Sequence, residues 1–302
     1  MSIFNRLVLV GLVATASMVQ AKPLCSGSAN SVRLRLIQNA QIIVPVTINQ
    51  TGPYDFLLDT GAEITTVDPA LAKALDLKIE GTIGIIGVGS FARTPFAKLD
   101  SLQAGSEVVE RISAVIQNLG QVHMEDSRVR GVLAGNFLEH FGLLIDYPQR
   151  IVCFDKGDTM EPELKGPHVE WATAPASKLR SQAPQTPTVT VRLSGIRKES
   201  LLLLDSGINA PLLYPSRESA HLVESGTLPL RSRGTDGVNH LFAVLATQQV
   251  HIGSHTFRAI QFVTPMSSTT NIPTPDVDGL LPTALFQRVY INYSHHYAVL
   301  EP

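Results

Sequence analysis

Apolar and polar positions alternate with a period of two over segment 43–49 and again over 188–193, the pattern of half-buried strands. Each segment leads through a turn, marked by Gly52-Pro53 or by Gly195, into a leucine-rich run that reads as a buried strand. The first run ends in Asp59-Thr60-Gly61 and the second in Asp205-Ser206-Gly207. A short helix is predicted after each. Asp68 is placed to cap one, with Pro69 at its first position and 70–75 continuing it, and Ser216 to cap another that runs through Val223 and stops near Gly226. Glycine-bearing hairpins follow at 84–89 and 234–237. Each half then closes with an apolar run (Gly131-Val132-Leu133, Gly279-Leu280-Leu281), a short helix and a final strand. The expected class is all-β with a few short helices.

This order of elements is written twice. Leu57-Leu58-Asp59-Thr60-Gly61 returns as Leu203-Leu204-Asp205-Ser206-Gly207 at an offset of 205 − 59 = 146. Ile145-Asp146-Tyr147 returns as Ile291-Asn292-Tyr293, and Phe154-Asp155 as Leu300-Glu301, at the same offset, while the Gly-Val-Leu and Gly-Leu-Leu runs lie 279 − 131 = 148 apart. Several anchors in one register, with a two-residue slip between them, indicate an ancestral unit duplicated and fused. The expected organisation is a leader over 1–21, a first lobe over 22–155, a linker over 156–187 and a second lobe over 188–302. The linker holds Pro162, Pro167, Pro175, Pro184 and Pro187, a density that disfavours helix and central strand.

The leader reads as a secretory signal, with Arg6, an apolar stretch over 7–16 and Val19-Gln20-Ala21 as the cleavage pattern. The stretch is shorter than the roughly 20 residues a membrane span needs. An exported protein, periplasmic or secreted, without a membrane anchor after cleavage is therefore expected. Lys and Arg number 24 against 26 Asp and Glu, so no basic excess points to nucleic acid. Hydrophobic residues make up 44%, too many for a largely disordered chain. Cys25 and Cys153 are the only two cysteines, and in an oxidising compartment they have the option of pairing. Two unpaired thiols remain the alternative, because sequence does not give their geometry. Neither lies in a zinc-ligand pattern, no metal or cofactor is implied, and the pair His295-His296 reads as solvated.

One Asp-Thr-Gly is weak evidence, since Asp and Gly are turn residues. Two copies at equivalent positions are different. A pseudo-twofold axis can bring Asp59 and Asp205 face to face, and two carboxylates in contact cannot both ionise easily, so the pair holds one proton. The ionised member can take a proton from water while the protonated member polarises a carbonyl. Gly61 and Gly207 permit the close approach, and the hydroxyls of Thr60 and Ser206 can bond across the axis.

Asp59-Thr60-Gly61-Ala62 with Gly131-Val132-Leu133, and Asp205-Ser206-Gly207 with Gly279-Leu280-Leu281, resemble the pepsin/retropepsin class of aspartic proteases. The short lobes look most like the bacterial retropepsin-like group, here as a fused pair. The resemblance runs over about 32–302. It implies two β-rich, pseudo-twofold-related lobes, a cleft with a flap hairpin above it, and a site complete in a monomer. It implies Asp59 and Asp205 as the catalytic pair of an endopeptidase acting on peptides or unfolded protein. Ile85 and Ile86 become apolar flap contacts. Glu63 and Asn209, four residues after each Asp, become candidates for binding the substrate backbone, with a plain turn role as the alternative. Departures from the family pattern are Ala134 and Pro282 in place of Gly, Ile208 in place of a small residue, and the lack of a flap Tyr. Ala62 and Ile208 offer no hydroxyl to the aspartates, which favours their neutral forms. A peptide-binding module that kept the fold without useful catalysis is the competing reading. A glycosidase fits poorly, since its two carboxylates take different roles rather than twofold-related ones.

Overall fold

The computed structural model describes Cys25 and residues 30–302, except 88–89, 157–158, 161–163, 173–185, 217, 227, 234–238 and 267–275. The expected signal segment over 1–21 lies outside the described residues, as does the glycine pair of the second expected hairpin. Among the described residues the fold is β-rich with three short α-helices, Pro69–Ala74, Gln121–Glu125 and Gly135–Leu138.

Three sheets account for the strands. An eight-stranded sheet is built within 35–133, and a nine-stranded sheet within 188–282. In each, the motif strand that ends at its aspartate lies between an antiparallel lead-in strand and a parallel strand. Thr51–Leu58 runs antiparallel to Gln41–Ile48 and parallel to Val129–Leu133. Ser200–Asp205 runs antiparallel to Thr188–Leu193 and parallel to Gly279–Pro282. The ends of the motif strands are buried on both faces and so are continuously apolar, which is why Phe56-Leu57-Leu58 and Leu202-Leu203-Leu204 precede the aspartates.

The third sheet has six strands and takes them from both halves of the chain. Gly142–Asp146 pairs antiparallel with Arg288–Asn292, and Leu144 faces Tyr290. Leu144 and Tyr290 are equivalent residues of the repeat, 146 apart, and equivalent residues face one another only where a twofold axis passes between them. That axis relates the two lobes. His168–Glu170 joins the outer edge of this sheet against Tyr297–Glu301, so part of the proline-rich segment is an edge strand rather than bare connection. An edge strand is where such a segment can pair without a full ladder of donors. At the other edge Ser31–Arg33 lies on Ile151–Asp155, and the Cys25–Cys153 disulfide, with 6.4 Å between Cα atoms, ties the start of the chain to that strand.

Local expectations met the structure with two corrections. Asp68 caps the first helix, its Oδ1 accepting from the Leu71 N–H at 2.8 Å, with Pro69 at the first position. The helix expected from Ser216 to Val223 is a single 3-10 turn, Ala220–Leu222. Ser216 and Ser219 hydrogen-bond each other and their backbone there, and Val223 is drawn into a β-bridge with Leu245. The turn before the first motif strand is Asn49-Gln50, both at positive φ, 46° and 63°. This is a two-residue hairpin turn, so Gly52-Pro53 falls inside the strand instead.

Candidate active site

The two motif loops interlock through four hydrogen bonds. Thr60 Oγ1 donates to the Leu204 carbonyl at 2.7 Å and accepts from the Ser206 N–H at 3.0 Å. Ser206 Oγ donates to the Leu58 carbonyl at 2.8 Å and accepts from the Thr60 N–H at 3.1 Å. Both hydroxyls are buried, and each donates once and accepts once across the axis. Each loop thus fixes the other's backbone.

Between them the aspartates meet. A Cβ placed on Gly61 would stand 2.6 Å from Asp205 Cγ, and one on Gly207 would stand 2.5 Å from Asp59 Cγ. Each glycine therefore exists to admit the opposite carboxyl, a closer reason than the turn alone. Asp59 Oδ1 accepts from the Gly61 and Ala62 N–H groups at 2.9 and 3.0 Å. Asp205 Oδ1 accepts from the Gly207 N–H alone, at 2.7 Å. Asp205 is buried, while Asp59 keeps some exposure.

This asymmetry sets the two carboxyls apart electrostatically. Burial raises Asp205 well above the ordinary carboxyl value of 3.8, and the charge of Asp59 raises it further. Burial also raises Asp59, but its two backbone N–H bonds pull it back down. The hydrogen bond the carboxyls share pulls Asp59 down and pushes Asp205 up. Both carboxyls are therefore raised, Asp205 the more strongly, and their titration belongs to the pair.

Each loop is braced from outside. In the first unit, Gly135 and Asn136 donate their N–H groups to the Ala62 and Glu63 carbonyls at 2.8 and 2.9 Å. The Asn136 side chain also accepts from Thr65 N and Oγ1 and donates to the Ser113 carbonyl. In the second unit the braces come across the axis. Gln41 Nε2 donates to the Gly207 carbonyl at 2.7 Å, and Asn209 Nδ2 bonds Gln38 Oε1. Sequence reasoning missed Asn136 and Gln41, whose neighbours carry no motif. Ile208, an odd residue in the sequence, packs with Leu203, Leu212, Leu280 and Tyr214 as an apolar wall beside Asp205. Pro282 starts a 3-10 turn, Thr283–Leu285, and pairs in register with Asp205.

The strands Ile79–Gly87 and Ser90–Ala104 form a hairpin paired up to Gly87 and Ser90. The exposed Phe91 ring lies against Gly84, leaving no room there for a side chain without moving the ring. Ile85 is half-buried in this hairpin, Ile86 pairs with Phe91, and the tip of the expected 84–89 hairpin lies outside the described residues. Glu63 is half-buried beside its loop, and Asn209 is exposed with its amide held by Gln38. Asp146 and Asn292 are buried away from the loops, Asp146 accepting from Arg288 and from the Gln149 N–H, and Asn292 from the His295 N–H. Among the described residues no group of three His, Cys, Asp or Glu is placed to hold a metal ion.

Residues 44–137 match the family model described as aspartyl protease. No curated protein matches the chain. Among solved structures, the chain is similar to an aspartic proteinase from Irpex lacteus, with 11% identity and a TM-score of 0.52 over 90% of this chain and 96% of that one. That likeness speaks for the fold, and the family match for the first unit with its Asp59 motif. Together they give the chain the fold of an aspartic proteinase and a likeness to the aspartyl protease family over its first unit.

Proposed function

We propose that the protein is an aspartic endopeptidase that hydrolyses peptide bonds with a water activated between Asp59 and Asp205. The observation that carries this reading is the reciprocal Thr60–Ser206 interlock, which holds two inequivalent carboxyls in contact across a twofold axis. Asp59, ionised and partly exposed, takes a proton from the water as its oxygen attacks the carbonyl carbon. Asp205, protonated, donates to the carbonyl oxygen as it gains charge. On collapse of the tetrahedral carbon one of its hydroxyls returns a proton to Asp205 as the C=O re-forms, the C–N bond breaks, and the proton held by Asp59 passes to the leaving nitrogen. An extended peptide lies beneath the hairpin of 79–104, its backbone bonded as an added strand. In this reading Glu63, half-buried beside its loop, meets that backbone, and Ile85 and Ile86 of the hairpin contact the peptide from above. Asn209 serves the opposite side once its bond to Gln38 is exchanged. The leader pattern at 1–21 supports export, to a periplasm or out of the cell.

One observation favours a second reading, a peptide-binding module. Asp205 receives a single backbone donor, and Ile208 gives its surroundings an apolar wall. Incubation of an unfolded protein from pH 3 to 7, wild type beside Asp205→Asn, separates the two. Fragments from the wild type and none from the variant support the endopeptidase. Tight peptide binding without fragments from either supports the module.

A further inference from the structure

The repeat that carries the aspartates also carries Tyr147 and Tyr293, equivalent residues that follow the two strands paired across the axis. Because those strands cross over, each tyrosine reaches the other unit. Tyr147 OH bonds Thr283 Oγ1 at 2.7 Å, and Thr283 follows Pro282, the register partner of Asp205. The charge of Asp205 is felt at Tyr147, and that of Asp59 at Tyr293. The arrangement is crossed: Tyr147 reaches the strand end beside Asp205, and Tyr293, its equivalent in the repeat, stands in the field of Asp59.

The two hydroxyls are not equivalent. The residue that answers Thr283 in the first unit, at the offset of the Gly-Val-Leu run, is Gly135, which has no hydroxyl. Tyr293 is 5% exposed, and its hydroxyl has no hydrogen-bond partner among the described residues. An orphaned buried hydroxyl is costly and uncommon. Its proton is free to rotate into the field of the charges around it. The groups that bear on it are Asp59 and Glu139, with the Trp171 ring edge-on at 5.4 Å and His296 beyond that ring. On the other side Tyr147 and Tyr214 both feel Asp205, while Arg288 is engaged by Asp146 and Glu301.

We propose that Tyr293 is a positioning residue for the aspartate pair. Its untied hydroxyl turns its proton toward Asp59 and holds the negative charge there, while Thr283, by occupying Tyr147, leaves Asp205 to keep the proton. In the endopeptidase reading, on which its catalytic meaning rests, this assigns Asp59 as the base and Asp205 as the acid before substrate arrives. The crossing makes each half of the repeat responsible for the other's protonation state.

The test is a titration of the full chain with carbon-13-labelled aspartate carboxyls, followed by NMR in wild type, Tyr293→Phe and Thr283→Val. Tyr293→Phe should raise the lower step of the pair by roughly half a pH unit, the scale of one hydroxyl dipole in a buried site, and leave the upper step in place. Thr283→Val, which keeps the side-chain shape and frees Tyr147, should lower the upper step instead. Trp171, the only tryptophan, packs on Tyr293 and reports by its fluorescence whether the Phe ring seats normally. A seated Tyr293→Phe with an unmoved lower step overturns the proposal. Should that variant fail to fold, an unmoved upper step in Thr283→Val overturns it equally. The titration needs no substrate, so a wild type that cleaves nothing sinks the endopeptidase reading while leaving this result legible.

Discussion

At the scale of single residues, the site depends on two hydroxyls and two glycines more than on any large side chain. Removing the Thr60 hydroxyl leaves the Ser206 N–H and the Leu204 carbonyl without their partner in a buried place. Thr60→Val should therefore cost about 2–4 kcal/mol, more than a typical exposed hydrogen bond, and Ser206→Ala a similar amount. Urea unfolding of the two variants and their double mutant checks this, and the double mutant should lose less than the sum, since the bonds form one network. The same scale sets a pH dependence. Both aspartates titrate above 3.8 in the folded protein, so the folded state binds more protons than the unfolded one above that value. Their contribution to stability is fully present below about pH 4 and is lost as pH rises through the folded values. Asp205→Asn removes a buried charge that the wild type must carry at high pH. Its Tm should rise relative to wild type as pH goes from 4 to 8. An advantage that shrinks over that range would show that Asp205 is not held protonated.

At the scale of elements, much was legible in the sequence because the determinants were local. Asp68-Pro69 wrote the start of its helix, and the leucine runs wrote the doubly buried motif strands. Asp68→Ala should cost about 1–2 kcal/mol, through the lost cap to Leu71 and the loss of its bond to Arg130, measurable by thermal unfolding. What was misread was set by competition beyond the window. Ser216 looked like a cap, but its bonds to Ser219 close the turn on itself, and the pull of Leu245 on Val223 ends the helix early. Gly52-Pro53 looked like the turn, but Asn49-Gln50 adopted the left-handed conformation first. In the site, the aspartates, hydroxyls and glycines were visible through repetition. Gln41, Asn136 and the unequal tyrosines were not, because their roles depend on contacts across the axis or on a missing hydroxyl at Gly135. The repeated Ile-Asp-Tyr and Ile-Asn-Tyr mark the tyrosines but say nothing of where their hydroxyls point.

At the scale of the molecule, the two halves are joined by the shared sheet, the interlock, the braces from Gln38 and Gln41, and the Asp146–Arg288 and Tyr147–Thr283 bonds. The Cys25–Cys153 disulfide pins the chain's start behind that sheet, in a cluster with Leu144, Tyr290 and Tyr297. It closes a separation of 128 residues, so replacing both cysteines with serine should cost about 2–5 kcal/mol. Denaturation with and without reductant checks this, and a wild type indifferent to reductant would count against it. The central claim is that two lobes of one chain supply a single pair with a single proton. The most direct measurement is the pH–rate profile for hydrolysis of an unfolded protein by wild type, Asp59→Asn and Asp205→Asn at fixed enzyme concentration. A bell-shaped profile in the wild type, abolished in both variants, is what this account predicts. Substantial hydrolysis by either variant, or a wild-type rate governed by a single ionisation, would contradict it.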